Sequence, residues 1–185
     1  METFTYKEIL QQPSCWIKEY EVLLEEKTRI QAFLEKYLTN ETDIVLTGAG
    51  TSAFIGDAIA PLLRGVWKNV RAVATTDIVT NAADYLAADK PLLLISFARS
   101  GNSPESVAAV NLANAICKNV AHIYITCNKN GHLAKSANAE NILSLLLPEE
   151  TDDKSLAMTS SFSTMLLTCL MISQIDHIEA ERERI

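Results

Sequence analysis

The chain has 185 residues, 48% of them hydrophobic, with 23 acidic against 16 basic side chains and a net charge of −7. That length fits one domain with a packed core, because ~100–200 residues per domain is usual, and the composition is not that of a disordered chain. No basic stripe is available to displace phosphate counterions, which argues against nucleic acid, and no apolar run approaches the ~18 residues of a membrane span.

Residues 1–40 predict a helical segment ahead of the main domain. Trp16, Tyr20, Leu23, Leu24, Ile30, Leu34, Tyr37 and Leu38 recur at three- and four-residue steps with charges between them. Ser14, after Pro13, is the expected N-cap. The apolar stripe needs a surface to cover, either the domain that follows or a second copy of the chain, so a homo-oligomer is expected. The N-terminal METFTYKEIL lacks the apolar core of a secretory signal, and a cytoplasmic location is expected.

Residues 41–185 read as an α/β domain. Five apolar runs, DIVLT (43–47), VRAVAT (70–75), PLLLISF (91–97), VAHIYIT (120–126) and NILSLLL (141–147), predict strands buried on both faces. Helical stretches at 52–63, 104–116 and 161–175, with a short turn near His132, fall between and after them. The expected architecture is a three-layer αβα sandwich around a five-stranded parallel sheet, flavodoxin-like in outline. Cys15, Cys117, Cys127 and Cys169 form no C-x-x-C pair and read as reduced, buried thiols. His122, His132 and His177 stand at no metal-ligand spacing, and neither a metal nor a cofactor is expected.

In an open parallel sheet the chemistry collects in the loops beyond the carboxyl ends of the strands. Here those loops are Thr47-Gly48-Ala49-Gly50-Thr51-Ser52, Phe97-Ala98-Arg99-Ser100-Gly101-Asn102-Ser103-Pro104-Glu105, the 127–132 segment and Met158-Thr159-Ser160-Ser161. Glycine allows close backbone approach, helix starts present N–H groups to anions, and the hydroxyls of Thr51, Ser52, Ser100 and Ser103 add donors without charge. Arg99 supplies a fixed cation. Hydrogen bonds to a charged group contribute roughly 1.5–3 kcal/mol each, so a few of them account for much of a millimolar to micromolar affinity. The same residues also fit helix caps: Ser103 ahead of Pro104, Thr51 or Ser52, and Thr159 or Ser160. Taken together, the two glycine-serine loops favour a phosphate site.

A dinucleotide reading ranks below it. Gly48-x-Gly50-x-x-Ala53 fits the fingerprint, but the acid expected about 20 residues on is missing, since Asp77 lies 27 residues past Gly50.

These segments, with Ile125-Thr126-Cys127-Asn128 and Ala157-Met158-Thr159-Ser160-Ser161, resemble the sugar isomerase (SIS) domain. More closely they resemble the tagatose-6-phosphate ketose/aldose isomerase family of AgaS type, whose members are also described as galactosamine-6-phosphate deaminases. The resemblance implies a small-molecule sugar phosphate as partner, with phosphate held by Thr51, Ser52, Arg99, Ser100 and Ser103. It implies a sugar contact through Gly50, Asn102, Cys127, Asn128, Met158, Thr159 and Ser160. The implied reaction is ring opening, proton transfer from C2 towards C1 and hydrolysis of an imine to release ammonia. Family members carry two such domains, and in related isomerases the catalytic glutamate and ring-opening histidine come from the second. This chain therefore reads as the binding half, with no catalytic residue assigned. A non-catalytic phosphosugar sensor is the alternative. Glu149, Glu150 and His132 are the nearest candidates for proton transfer should the domain act alone and complete its site across subunits.

Overall fold

Each of the five apolar runs forms a strand, and the computed structural model, which describes residues 3–184, joins them in one sheet. Along the chain the elements are α1 (Phe4–Tyr37), β1 (Asp43–Gly48), α2 (Ala53–Leu63), β2 (Val70–Ala72), α3 (Thr75–Thr80), α4 (Ala82–Tyr85), β3 (Leu92–Ala98), α5 (Pro104–Ile116), β4 (Val120–Thr126), α6 (His132–Lys135), β5 (Ile142–Leu146) and α7 (Ser160–Ser173). Short 3-10 turns lie over Gly50–Ser52, Glu149–Thr151 and Ile175–Arg184. The strand order is β2-β1-β3-β4-β5, and every pairing is parallel.

The sheet is apolar on both faces because helices cover both. Ile44, Leu46, Leu93, Ile95, Phe97, Ile123 and Ile125 face one core with α1, α2 and α7. Val45, Leu92, Leu94 and Tyr124 face the other, with Ile78 of α3 and Ala109, Val110 and Ala113 of α5. This is the expected three-layer sandwich. All four cysteines are buried and unpaired.

Two elements differ from the sequence reading. β2 was expected over 70–75 but ends at Ala72, because Thr75 turns out of the sheet to open α3 and donates its hydroxyl to the Gly48 carbonyl at 3.1 Å. The helix of the first segment does not begin at Ser14. Thr3 is its N-cap, accepting from Tyr6 N at 3.2 Å, and Pro13 lies inside it. Proline has no N–H for the carbonyl four residues back, which here is Ile9 O. The side-chain amide of Gln12 donates to that carbonyl at 3.0 Å and replaces the missing bond.

α1 runs alongside α7 in the same direction. Gln11 Nε2 donates to Ser160 Oγ at 2.7 Å and Trp16 Nε1 to Ser163 Oγ at 3.0 Å; further on, Gln31 Nε2 reaches Asp176 Oδ1 at 2.7 Å. Between these bonds the seam is mostly apolar, with Leu23, Ile30, Met165, Cys169 and Ile172 buried completely. Each such side chain contributes about 1.5–3 kcal/mol. The α1 helix therefore shares the core of the sheet domain.

Glu19 is buried in this seam at 1% exposure. Its Oε1 accepts from Thr168 Oγ1 at 2.9 Å, while Oε2 has no partner. Burial raises the carboxyl from its ordinary value of 4.5 to about 8, against the opposing effect of the Thr168 hydrogen bond. The folded state then holds a proton that the unfolded chain has lost, so stability falls as pH rises from about 4.5 to about 8 and levels off above. At ~1.4 kcal/mol per pKa unit the full effect is on the order of 5 kcal/mol. Glu19→Gln keeps the shape and removes the titration. We expect a flatter stability profile between pH 5 and 8, with a melting temperature at pH 8 raised by at least about 5 °C, measured by thermal denaturation across pH.

Candidate functional site

The sheet grows in opposite directions from β1, with β2 on one side and β3 on the other. In such sheets a crevice opens between the loops that follow the two strands at the reversal. Those loops are the two glycine-serine segments, residues 48–52 after β1 and 99–103 after β3. Strand register sets their ends side by side, with Gly48 opposite Phe97.

The first loop doubles back sharply. A Cβ on Gly48 would meet the Ser52 backbone at 2.5 Å, so the turn requires glycine there. Gly50 and Thr51 are exposed at its tip. Ser52 is 5% exposed, and its hydroxyl points to Met158 Sδ at 3.8 Å.

The second loop is braced from the β4 side. Cys127 N donates to Arg99 O and Leu133 N to Gly101 O, both at 3.2 Å. Asn128 Nδ2 donates to Ser100 O at 3.0 Å, and His132 N to Asn102 Oδ1 at 2.8 Å. A Cβ on Gly131 would meet Ser100 O at 2.5 Å, so the two loops pack backbone against backbone. Ser100 remains exposed, its Oγ accepting from Asn102 N at 3.2 Å. Ser103 is the N-cap of α5: its Oγ accepts from Ser106 N at 3.2 Å and donates to Ser106 Oγ at 2.7 Å. Arg99 turns across the site, with Nη1 3.4 Å from Ser155 O.

Beyond β4 and β5 lies a cleft of about 240 Å³ lined by Cys127, Asn128, Lys129, Glu149 and Asp152 among others. The Cys127 thiol is 6% exposed, and burial pushes it up to about 12, so it sits there as a neutral thiol. Of the two adjacent acids, Glu149 faces this cleft. Glu150 pairs instead with Lys18 of α1, whose hydrogen bond holds its carboxyl below the usual range. His132 is exposed at the start of α6.

The loop from β5 into α7 is organised by Asp153, which the sequence reading missed. Asp153 Oδ2 accepts from Thr159 N and Ser161 N, each at 2.9 Å, and from the Ser161 hydroxyl. Its Oδ1 accepts from Ser160 Oγ at 2.8 Å and Thr159 Oγ1 at 3.2 Å. Burial alone would raise this carboxyl, but the hydrogen bonds from Ser161, Thr159 and Ser160 outweigh it and hold the value below normal. Neither Thr159 nor Ser160 caps α7 with its own hydroxyl; Asp153 does so from six residues upstream. Ser160 is fully buried, accepting from Gln11 and lying 3.1 Å from Glu8 O, so its expected contact with a sugar is not available in this arrangement. The other expected positions, Gly50, Thr51, Arg99, Ser100, Asn102, Asn128, Met158 and Thr159, are exposed or half-buried around the crevice.

The model of the SIS domain matches residues 37–173. The chain belongs to the SIS domain family. It is 50% identical over 185 residues to the D-galactosamine-6-phosphate deaminase AgaS of Escherichia coli, covering 98% of this chain and 48% of that protein. Against the D-galactosamine-6-phosphate deaminase AgaS of Shewanella sp. (strain ANA-3) the identity is 46% over 175 residues, covering 91% and 45%. Among solved structures, the tagatose-6-phosphate ketose/aldose isomerase of Escherichia coli superimposes with a TM-score of 0.93 at 49% identity, covering 98% of this chain and 51% of that one. This SIS chain thus spans about half the length of the relatives it matches.

Removing the Asp153 carboxylate leaves two backbone N–H groups and three hydroxyls of the α7 start without their acceptor. Asp153→Ala is expected to destabilise the domain by about 2–4 kcal/mol, read from the urea midpoint. Because the folded value is depressed, the wild-type advantage over Asp153→Asn is present at neutral pH and disappears as acid protonates the carboxylate.

Proposed function

We propose that this SIS domain binds the phosphosugar of an amino-sugar-phosphate ketose/aldose isomerase or deaminase, which converts galactosamine 6-phosphate and water into tagatose 6-phosphate and ammonia. The observation that carries this reading is the pair of glycine-serine loops flanking the reversal of strand order. The names of the half-identical relatives supply the sugar.

On this reading the phosphate lies between the two loops, with Thr51 and Ser100 as its exposed hydroxyl donors and Arg99 as the nearby cation. Ser52 and Ser103 shape the loops from behind, through the Met158 contact and the α5 cap. The sugar extends past Gly50 and Asn102 towards Asn128, Met158 and Thr159, over the buried Cys127. Glu149 and Asp152 line the far end of that cleft, where carboxylates suit a protonated amine.

The reaction itself needs a base that moves the C2 proton to C1. The aminated carbon then becomes an imine, water adds to it, and ammonia leaves. That base must come within hydrogen-bond reach of C2. Glu150 is paired with Lys18, Cys127 is a neutral thiol, and Glu149 and Asp152 are assigned to the amine, so we place the proton-transfer residues outside this domain, in the remainder of a polypeptide about twice as long.

Residues 41–185 form the binding unit of this reading, with the helix of residues 1–40 as its support. We place the protein in the cytoplasm as a homo-oligomer. Among the described residues no helix is long and apolar enough to cross a membrane. The exposed apolar side chains Phe4, Leu10 and Ile17 of α1 support a protein contact.

Calorimetric titration with galactosamine 6-phosphate tests the site. Thr51→Ala and Ser100→Ala are each expected to weaken binding about tenfold or more while melting temperature stays within a few degrees. Wild-type affinity in both variants would sink the assignment. Binding by the full chain with no ammonia or ketose produced would favour a phosphosugar sensor over an enzyme.

A further inference from the structure

The candidate site is crossed by residues 154–158, a strap of irregular backbone between the 3-10 turn at Glu149–Thr151 and α7. We propose that Glu8, on α1, is the positioning residue that fixes this strap, and through it Arg99 and Met158, for phosphosugar binding. The inference rests on the phosphosugar reading given above.

Glu8 lies 146 residues from the strap in sequence, yet its side chain is 6% exposed and wholly engaged there. Oε1 accepts from Lys154 N at 2.7 Å and Ser155 N at 3.1 Å, and Oε2 accepts from the Ser155 hydroxyl. A carboxylate accepting from backbone N–H groups is among the stronger uncharged-donor pairings in proteins. At the other end of the strap, Asp153 grips Thr159 and Ser161. The segment is therefore held between two carboxylates.

Its middle has little else to locate it. Leu156 is completely exposed and Ala157 is exposed, so apolar burial does not define their position. Yet the strap meets both glycine-serine loops. Arg99 Nη1 lies 3.4 Å from Ser155 O, and Met158 Sδ lies 3.8 Å from Ser52 Oγ. Ser155 is the shared residue: Glu8 holds its N–H and hydroxyl, and its carbonyl meets Arg99. Loss of the Glu8 carboxylate frees the backbone that orients the cation of the phosphate site.

A merely structural role in anchoring α1 makes a different prediction, which a second variant separates. Leu23, fully buried on the same helix, lies 15 residues further on, about 22 Å along the axis. In the full chain, Glu8→Ala, Glu8→Gln and Leu23→Ala are compared by calorimetric titration with galactosamine 6-phosphate, by melting temperature and by amide exchange at Lys154 and Ser155. Glu8→Ala is expected to weaken binding about tenfold or more and to accelerate exchange at both amides. Glu8→Gln, whose carbonyl oxygen still accepts from both, is expected to stay within about threefold of wild type. Leu23→Ala is expected to lower the melting temperature while keeping wild-type affinity and exchange at the strap. Unchanged affinity in Glu8→Ala, or an equal loss in Leu23→Ala, would overturn the positioning role. A wild-type chain that fails to bind the phosphosugar would overturn the functional reading instead, and strap exchange separates the two failures because it needs no ligand.

Discussion

The reversal of strand order between β1 and β3 is the constraint on which the candidate site depends. α2 leaves β1 for the face it shares with α1 and α7, where Ile55, Ile59 and Leu63 are buried. α5 leaves β3 for the opposite face and buries Ala109, Val110 and Ala113. The loops at the two strand ends therefore part to opposite sides, and the backbone between them is left uncovered by either helix. Gly48 and Gly131 are consequences of that geometry. One lets the first loop fold back on itself; the other lets the β4 loop press against the second loop and hold it.

Three buried carboxylates then meet different ends, and the number of donors decides which. Glu8 meets donors at both oxygens, two of them backbone N–H groups, and ties a distant helix to an irregular segment. Asp153 collects two N–H groups and three hydroxyls, enough to outweigh the desolvation of its charge. Glu19 finds one hydroxyl and an unpartnered second oxygen, so burial wins and the proton stays on at neutral pH. Burying a charge is costly unless hydrogen bonds replace its water, and these sites span both sides of that balance. The first two act on the loop beside the crevice, whereas the third lies in the α1–α7 seam.

How much was legible in the sequence follows from the range of each signal. The strands at 43–48, 92–98, 120–126 and 142–146 fall within a residue of their apolar runs, because burial on both faces writes itself as a continuous run. The α5 start was legible for a local reason, the Ser103-Pro104 cap. Local reasoning failed where a side chain other than the expected one took over. Pro13 reads as a break, yet Gln12 repairs the ladder within one turn. Thr159 and Ser160 read as caps, yet Asp153 performs that task. Of the candidate site, the loops and their glycine-serine content were visible in sequence, whereas the Glu8 contact was not, since nothing in the second turn of a helix signals a partner 146 residues away.

The means of holding each part of the site also bears on how it can change. The loop after β3 is fixed largely by N–H donors of the neighbouring β4 loop, so its shape follows the sheet. The strap is fixed through the amides of Lys154 and Ser155, and those bonds do not depend on what side chain residue 154 carries. Leu156 and Ala157 are free of the core altogether. Substitutions at 154, 156 and 157 can therefore change the exposed face of the strap without removing the bonds from Glu8 to its backbone. On the proposed reading, in a chain whose net charge of −7 offers an anion no general attraction, affinity depends on the sheet-held loops and on the strap backbone that meets Arg99, and the exposed side chains of the strap are the part left to distinguish one sugar from another.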